Sequence, residues 1–210
     1  MIDVDKQDGV WVVTLNRPDK ANSLTKAMLE DLAQIAMDAA GEARVLILTG
    51  KGKVFSAGAD LDEARAGLAV DGVWERLSNA VSAAPCLTIA ALNGTLAGGA
   101  FGMALACDIR IAVPEASFFY PVMKLGFLPQ PSDPRRMVGL IGPARAKIIL
   151  MSGQKVKADE ALQWGLVDRL ASRDTLMEAA LELAEAARVQ KAEHVAQMKR
   201  MIPETGSDTP

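Results

Sequence analysis

Apolar and polar positions alternate in short blocks along the chain. Val10-Trp-Val-Val-Thr-Leu-Asn16 reads as a strand, stopped by Arg17-Pro18-Asp19, because proline fixes φ and carries no N–H. A helix is expected after Ser23-Leu-Thr-Lys, with Ser23 or Thr25 as N-cap and apolar residues at Met28, Leu29, Leu32 and Ile35. Arg44-Val-Leu-Ile-Leu-Thr-Gly50 is a short apolar run of the kind a buried parallel strand makes, and Cys86-Leu-Thr-Ile-Ala-Ala-Leu92 is a second. Between them the stretch from Val54 to Leu61 is a loop of small residues, and helical stretches follow near Leu61–Ala66 and Val73–Ala83. Gly98 to Cys107 has the composition of a buried helix of small residues, and Asp108 to Val113 that of another strand. Residues 143–152, 158–164 and 174–200 read as helical, separated by Gly153 and Gly165. Strands alternating with helices imply an α/β fold with crossover connections. The expected organisation is a core over 1–142, a small helical C-terminal region over 143–202, and a disordered polar tail at 203–210.

Composition narrows the classes. Half of the 210 residues are hydrophobic, which excludes a disordered chain. A formal charge of −3 removes the electrostatic reason to expect nucleic acid. No window reaches the ~18 uninterrupted apolar residues of a membrane span, and no basic start with an apolar run follows Met1. Cys86 and Cys107 lie in apolar segments and read as reduced core thiols. A cytoplasmic globular protein is the expectation.

Missing residue types remove further chemistry. The single histidine, His194, sits near a charged helical end and reads as solvated. No Cys/His cluster has metal-ligand spacing, so no metal is expected. A G-x-S-x-G, a G-x-G-x-x-G and a G-x-x-x-x-G-K-[ST] are all absent from the sequence.

Two turns carry the remaining signal. Phe55-Ser-Ala-Gly-Ala-Asp-Leu61 and Asn93-Gly-Thr-Leu-Ala-Gly-Gly-Ala100 each join an apolar strand to a helix. Small side chains there leave backbone N–H groups bare, and a pair of such groups at a helix start can hold a developing oxyanion. Small residues also simply permit tight strand-to-helix packing.

Taken in order, these turns resemble those of the crotonase family, the enoyl-CoA hydratase/isomerase superfamily. The resemblance begins at Leu15-Asn-Arg-Pro-Asp-Lys-Ala-Asn-Ser-Leu24 and continues through Val45–Gly50, the 55–61 turn and Gly94–Asp108. It ends with Gly142-Pro-Ala-Arg-Ala146, Leu150 and Ala158–Asp168. It implies a spiral of ββα units, CoA-thioester substrates, no permanently bound cofactor, and a homotrimer or dimer of trimers. By the match, the two oxyanion N–H groups fall on Ala59 and Gly99. Coenzyme A, as part of the substrate, would lie along Lys20, Ala21, Ser23, Ala57, Asp60 and Leu61, mostly on backbone atoms. Lys20 would pair with a CoA phosphate or stand as an ordinary surface lysine.

Departures from the family pattern matter as much. The resemblance assigns the two glutamates of hydratases to positions that here hold Gly102 and Val122, and a third carboxylate slot, after Pro129, holds Gln130. The nearest substitutes are Asp133, which also suits a helix cap or turn before Pro134, and Tyr120, expected on one strand face with Val122. Asp62 and Glu63 read as solvated, and Arg135 and Arg136 as partners in a salt bridge or subunit contact. Family members run several helical turns further, so the acyl site's cover is expected to be incomplete or differently supplied. The expected function is acyl-CoA binding in a backbone oxyanion hole with chemistry through an enolate or polarised carbonyl, without efficient hydration. A non-catalytic acyl-CoA-binding protein is the alternative, and a degenerate structural subunit a third.

Overall fold

Strand pairs followed by helices wind the chain into a spiral, as a computed structural model of residues 1–202 describes it; the expected tail at 203–210 lies outside the described residues. An antiparallel pair, β1 (Ile2–Gln7) and β2 (Val10–Leu15), precedes helix α1 (Lys26–Asp38). Three ββα units follow. The first is β3 (Val45–Gly50) and β4 (Val54–Ser56) with helices α2 (Leu61–Arg65) and α3 (Val73–Ala83). The second is β5 (Leu87–Leu92) and β6 (Thr95–Ala97) with α4 (Phe101–Leu105). The third is β7 (Ile109–Ala112) and β8 (Ser117–Phe119) with α5 (Val122–Leu125) and α6 (Asp133–Leu150). The first strand of each unit enters a six-stranded sheet ordered β1-β2-β3-β5-β7-β10, and the second enters a four-stranded sheet ordered β4-β6-β8-β9. Successive units therefore stack, each one strand further along both sheets.

The closing elements are β9 (Val156–Lys157), α7 (Ala158–Trp164), β10 (Arg169–Leu170), α8 (Leu176–Arg188) and α9 (Ala192–Met201). Both short strands join the sheets, so the region after 143 is not helical throughout. The single helical stretch expected over 174–200 is two helices. The helix expected over 143–152 is the second half of α6, separated by non-helical Gly142 (φ 77°, ψ 164°) from a first half over 133–141 that the spacing does not predict. Pro143 disfavours a helical conformation in the residue before it, and glycine accepts the positive φ. The helix expected from Gly98 to Cys107 is a 3-10 turn, Gly98–Ala100, leading into the short α4. β1 carries only exposed or half-buried residues, so its apolar content gives little sequence signal.

Sequence and packing agree in the central strands. β3 is buried at all its residues except Gly50, and β5 at all except Leu87, as strands with covered faces must be. Thr25 caps α1 by accepting from the Met28 N–H at 3.2 Å. Two polar clamps, the first around buried Arg110, tie the later turns. Arg110 donates to Cys107 O at 2.6 Å, Leu166 O at 3.1 Å and Asp168 Oδ2 at 3.1 Å. Asp108 Oδ2 accepts from the Thr88 N–H and hydroxyl and from Lys199 Nζ. Cys86 and Cys107 are buried and unpaired; burial pushes their thiols up to about 11 and about 12, so both are protonated at neutral pH. Among the described residues no helix is long and apolar enough to cross a membrane.

Gly94, where β5 turns into β6, has no space for a side chain: a Cβ would lie 1.9 Å from Lys53 O. Backbone cannot yield as a flexible side chain would. Gly94→Ala is expected to cost about 3 kcal/mol, read as a lowered urea midpoint; an unchanged midpoint contradicts this packing.

Candidate active site

Three segments distant in sequence meet at one end of the four-stranded sheet. β4 and β6 run parallel with Ser56 opposite Leu96. Ala59 and Gly99 each lie three residues beyond that registered pair, so the two turns leave the sheet side by side. Their contact is close: a Cβ on Gly58 (φ +91°) would sit 2.9 Å from Ala97 O and 3.4 Å from the Gly98 Cα. The third segment, Lys20 to Leu24, lies against the first turn. Ala57 N–H donates to Ala21 O, Leu24 N–H to Gly58 O, and Asp60 N–H to Leu24 O, at 2.8–3.0 Å.

These bonds leave particular N–H groups over. Gly58 N–H turns to Ser56 Oγ at 3.2 Å. The Ala59 N–H, between donors that are all engaged, has no acceptor among the described residues. Gly99 lies in the first turn of its helix, where N–H groups lack an intrahelical acceptor. Both residues are partly open to solvent. The two donors assigned by resemblance thus sit on adjacent turns at the surface.

The positions assigned to coenzyme A are also drawn together. Lys20, Ala57 and Leu61 are exposed, Ala21 is half-buried, and Ser23 is buried. Asp60 caps α2 by accepting from the Asp62 N–H. Its other oxygen lies 2.7 Å from Arg17 Nη1, which holds the Asp60 carboxyl below the usual carboxylate range. Arg17 also donates to Ser23 O and Oγ at 3.2 Å. The Arg-Pro stop signal does not reveal these contacts of Arg17. Asp62 is solvated as expected, whereas Glu63 Oε2 accepts from the Lys26 N–H.

Beyond Gly99 the wall is built from α3, α4, α6 and the end of β8. Asp133 is completely buried and does not cap its helix; its Oδ2 accepts from the Tyr120 hydroxyl at 2.9 Å. Its Oδ1 is buried without a hydrogen-bond partner and faces Gly102, on which a Cβ would lie 2.9 Å from it and 2.4 Å from Ser78 Oγ. Tyr120 and Val122 do not share a strand face. β8 ends at Phe119, and Val122 opens α5. Tyr120 instead stacks on Phe101 with centroids 5.5 Å apart. Arg136 donates to Ser132 Oγ and Asn79 Oδ1, and among the described residues it pairs with no carboxylate. Burial pushes the Asp133 carboxyl up to about 7, aided by Glu75 and opposed by the Tyr120 hydrogen bond and Arg136. Burial, and then the Asp133 charge, drive the Tyr120 phenol upward too.

Trp74 and Ser78 were not legible as wall residues. The period of α3 marks Val73, Trp74, Leu77, Ser78 and Val81 as its inward face, but not the surface that face meets.

Known proteins resemble this chain in sequence and fold. The sequence model of enoyl-CoA hydratase/isomerase matches residues 5–209. The chain is 34% identical over 209 residues to a probable enoyl-CoA hydratase, echA6, of Mycobacterium tuberculosis, covering 99% of this chain and 84% of the relative. It is 40% identical over 190 residues to a putative enoyl-CoA hydratase/isomerase, YngF, of Bacillus subtilis, covering 86% and 73%. Among solved structures, a putative enoyl-CoA hydratase from Streptomyces coelicolor superposes with TM-score 0.90 at 32% identity, covering 100% of this chain and 80% of that one. An enoyl-CoA hydratase from Bacillus anthracis gives TM-score 0.86 at 37% identity, covering 95% and 81%.

The raised carboxyl has a consequence for stability. The folded state keeps the Asp133 proton up to about pH 7, whereas a carboxyl at its ordinary value loses it near 3.8. The stability that proton contributes is complete below the lower value and lost as pH rises through the upper one. Relative to wild type, Asp133→Asn is therefore expected to be less stable at pH 4 than at pH 8. Denaturant unfolding at both pH values checks this, and a pH-independent difference contradicts it.

Proposed function

The chain belongs to the enoyl-CoA hydratase/isomerase family, and on that premise we propose that it binds an acyl-CoA thioester and polarises its carbonyl with the N–H groups of Ala59 and Gly99. The observation that carries this reading is the registered β4–β6 pair, which sends two small-residue turns off the sheet in contact with one another. Two fixed donors aimed at one oxygen favour the charge that develops when a thioester becomes an enolate or is attacked. The coenzyme A portion runs along Lys20, Ala21, Ser23, Ala57, Asp60 and Leu61, with exposed Lys20 available to a phosphate.

Hydration needs a base to activate water and an acid to protonate the α-carbon. Gly102 and Val122 supply neither. A glutamate at 102 would also have no room, since Ser78 Oγ and Asp133 Oδ1 occupy the space its Cβ would enter. The group available for proton transfer is the Asp133–Tyr120 pair, whose free Oδ1 faces that space. A second reading, binding without turnover, draws support from the complete burial of Asp133. Incubation with a panel of acyl-CoA thioesters followed by mass spectrometry separates the two: a changed thioester supports catalysis, and an intact but bound one supports carriage.

The protein is expected to bind crotonyl-CoA but hydrate it ~10⁴-fold or more below a competent hydratase, since each positioned acid–base group contributes about 10²–10⁴. Loss of enoyl absorbance measures this, and turnover at ordinary hydratase rates contradicts it. Where a thioester is turned over, Ala59→Pro and Gly99→Pro each delete one donor and are expected to lower the rate by about 10²–10³. A proline at 99 also presses on Trp74, so Ala59→Pro is the cleaner variant. Unchanged rate and affinity in folded Ala59→Pro protein contradicts the assignment.

A further inference from the structure

Gly99 of the proposed oxyanion site and Gly102 beyond it are covered by side chains from two helices. A Cβ on Gly99 would lie 3.0 Å from the Trp74 ring atoms Cδ2 and Cε3. One turn further on, the space at Gly102 is taken by Ser78 Oγ and Asp133 Oδ1. Trp74 and Ser78 are 3% and 1% exposed, and each is fixed. The Trp74 indole N–H donates to Leu68 O at 2.8 Å, and the Ser78 hydroxyl donates to Trp74 O at 3.1 Å. From the opposite side Tyr120 holds Asp133. Indole, hydroxyl and carboxyl thus form a continuous plug along Gly99 and Gly102.

The direction of the acyl group follows from the site proposed above, on which this step rests. The thioester carbonyl carbon bears sulfur on one side and the acyl carbon on the other. With coenzyme A lying along 20–23 and 57–61, the sulfur leaves on the Ala59 side. The acyl carbons then leave on the Gly99 side, toward the plug. We propose that this plug closes the acyl end of the site, and that Trp74 thereby restricts the substrate to short acyl groups.

Calorimetric titration of the whole protein with coenzyme A and with acetyl-, butyryl-, octanoyl- and dodecanoyl-CoA tests this. An open apolar channel would gain about fourfold in affinity per added methylene. The wild type is expected to show no gain from butyryl- to dodecanoyl-CoA. Trp74→Leu, which opens the wall, is expected to bind octanoyl-CoA about tenfold tighter than butyryl-CoA. Trp74→Phe, which disturbs the fold less, should shift the same way to a smaller degree. Wild type that binds dodecanoyl-CoA tenfold or more tighter than butyryl-CoA overturns the proposal, as does a folded Trp74→Phe or Trp74→Leu protein with the wild-type chain-length profile. Failure to bind coenzyme A or any thioester overturns the site itself, and the chain-length proposal falls with it.

Discussion

Gly58 packs so tightly against Ala97 and Gly98 that two turns become one surface. That contact requires glycine twice over, for its positive φ and for the missing Cβ. It also requires the β4–β6 register, because a slip of one residue would carry the Ala59 and Gly99 N–H groups apart. The ββα spiral supplies the register by laying the second strand of each unit beside its predecessor. Buried asparagines then fix the approach to the site. Asn22 donates to Lys51 O and Val54 O, while Asn93 accepts from the Gly50 N–H and donates to Gly52 O.

The proton transfer proposed above draws on Asp133 and Tyr120, because positions 102 and 122 hold glycine and valine. Gly102 accompanies side chains that arrive from α3 and α6 and fill the volume beside it. A carboxyl still faces that volume, but it belongs to Asp133, at the start of α6, and it is bonded by a phenol from the end of β8. A buried carboxyl with one oxygen unsatisfied is costly, and such groups concentrate at functional sites. Ser78 Oγ and Asp133 Oδ1 meet at Gly102, so the proposed proton donor and the proposed limit on acyl length share one cluster.

Much of this was readable along the chain. Apolar runs mark β3 and β5, and helical spacing marks α1 and the bounds of α3. Those features are local, and local spacing reports them; the choice of Ala59 and Gly99 within the small-residue turns rests on the family resemblance instead. Other features depend on contacts between distant segments. The Tyr120–Asp133 bond spans 13 residues and the Arg17–Asp60 pair spans 43, and no period signals either. β9 and β10, two residues each, exist only because a neighbouring strand offers them a ladder. Tyr120 and Val122 fail to share a face for a related reason: β8 ends at Phe119, three residues before Val122, and the turn at Pro121 leads into α5.

Two backbone N–H groups on adjoining turns are proposed to polarise a thioester carbonyl. Isotope-edited infrared spectroscopy of bound butyryl-CoA carrying ¹³C at the carbonyl measures that polarisation directly. A carbonyl stretch at lower wavenumber than in water is expected, since hydrogen bonds to water are not preorganised. A bound carbonyl that absorbs at or above its aqueous position would contradict it.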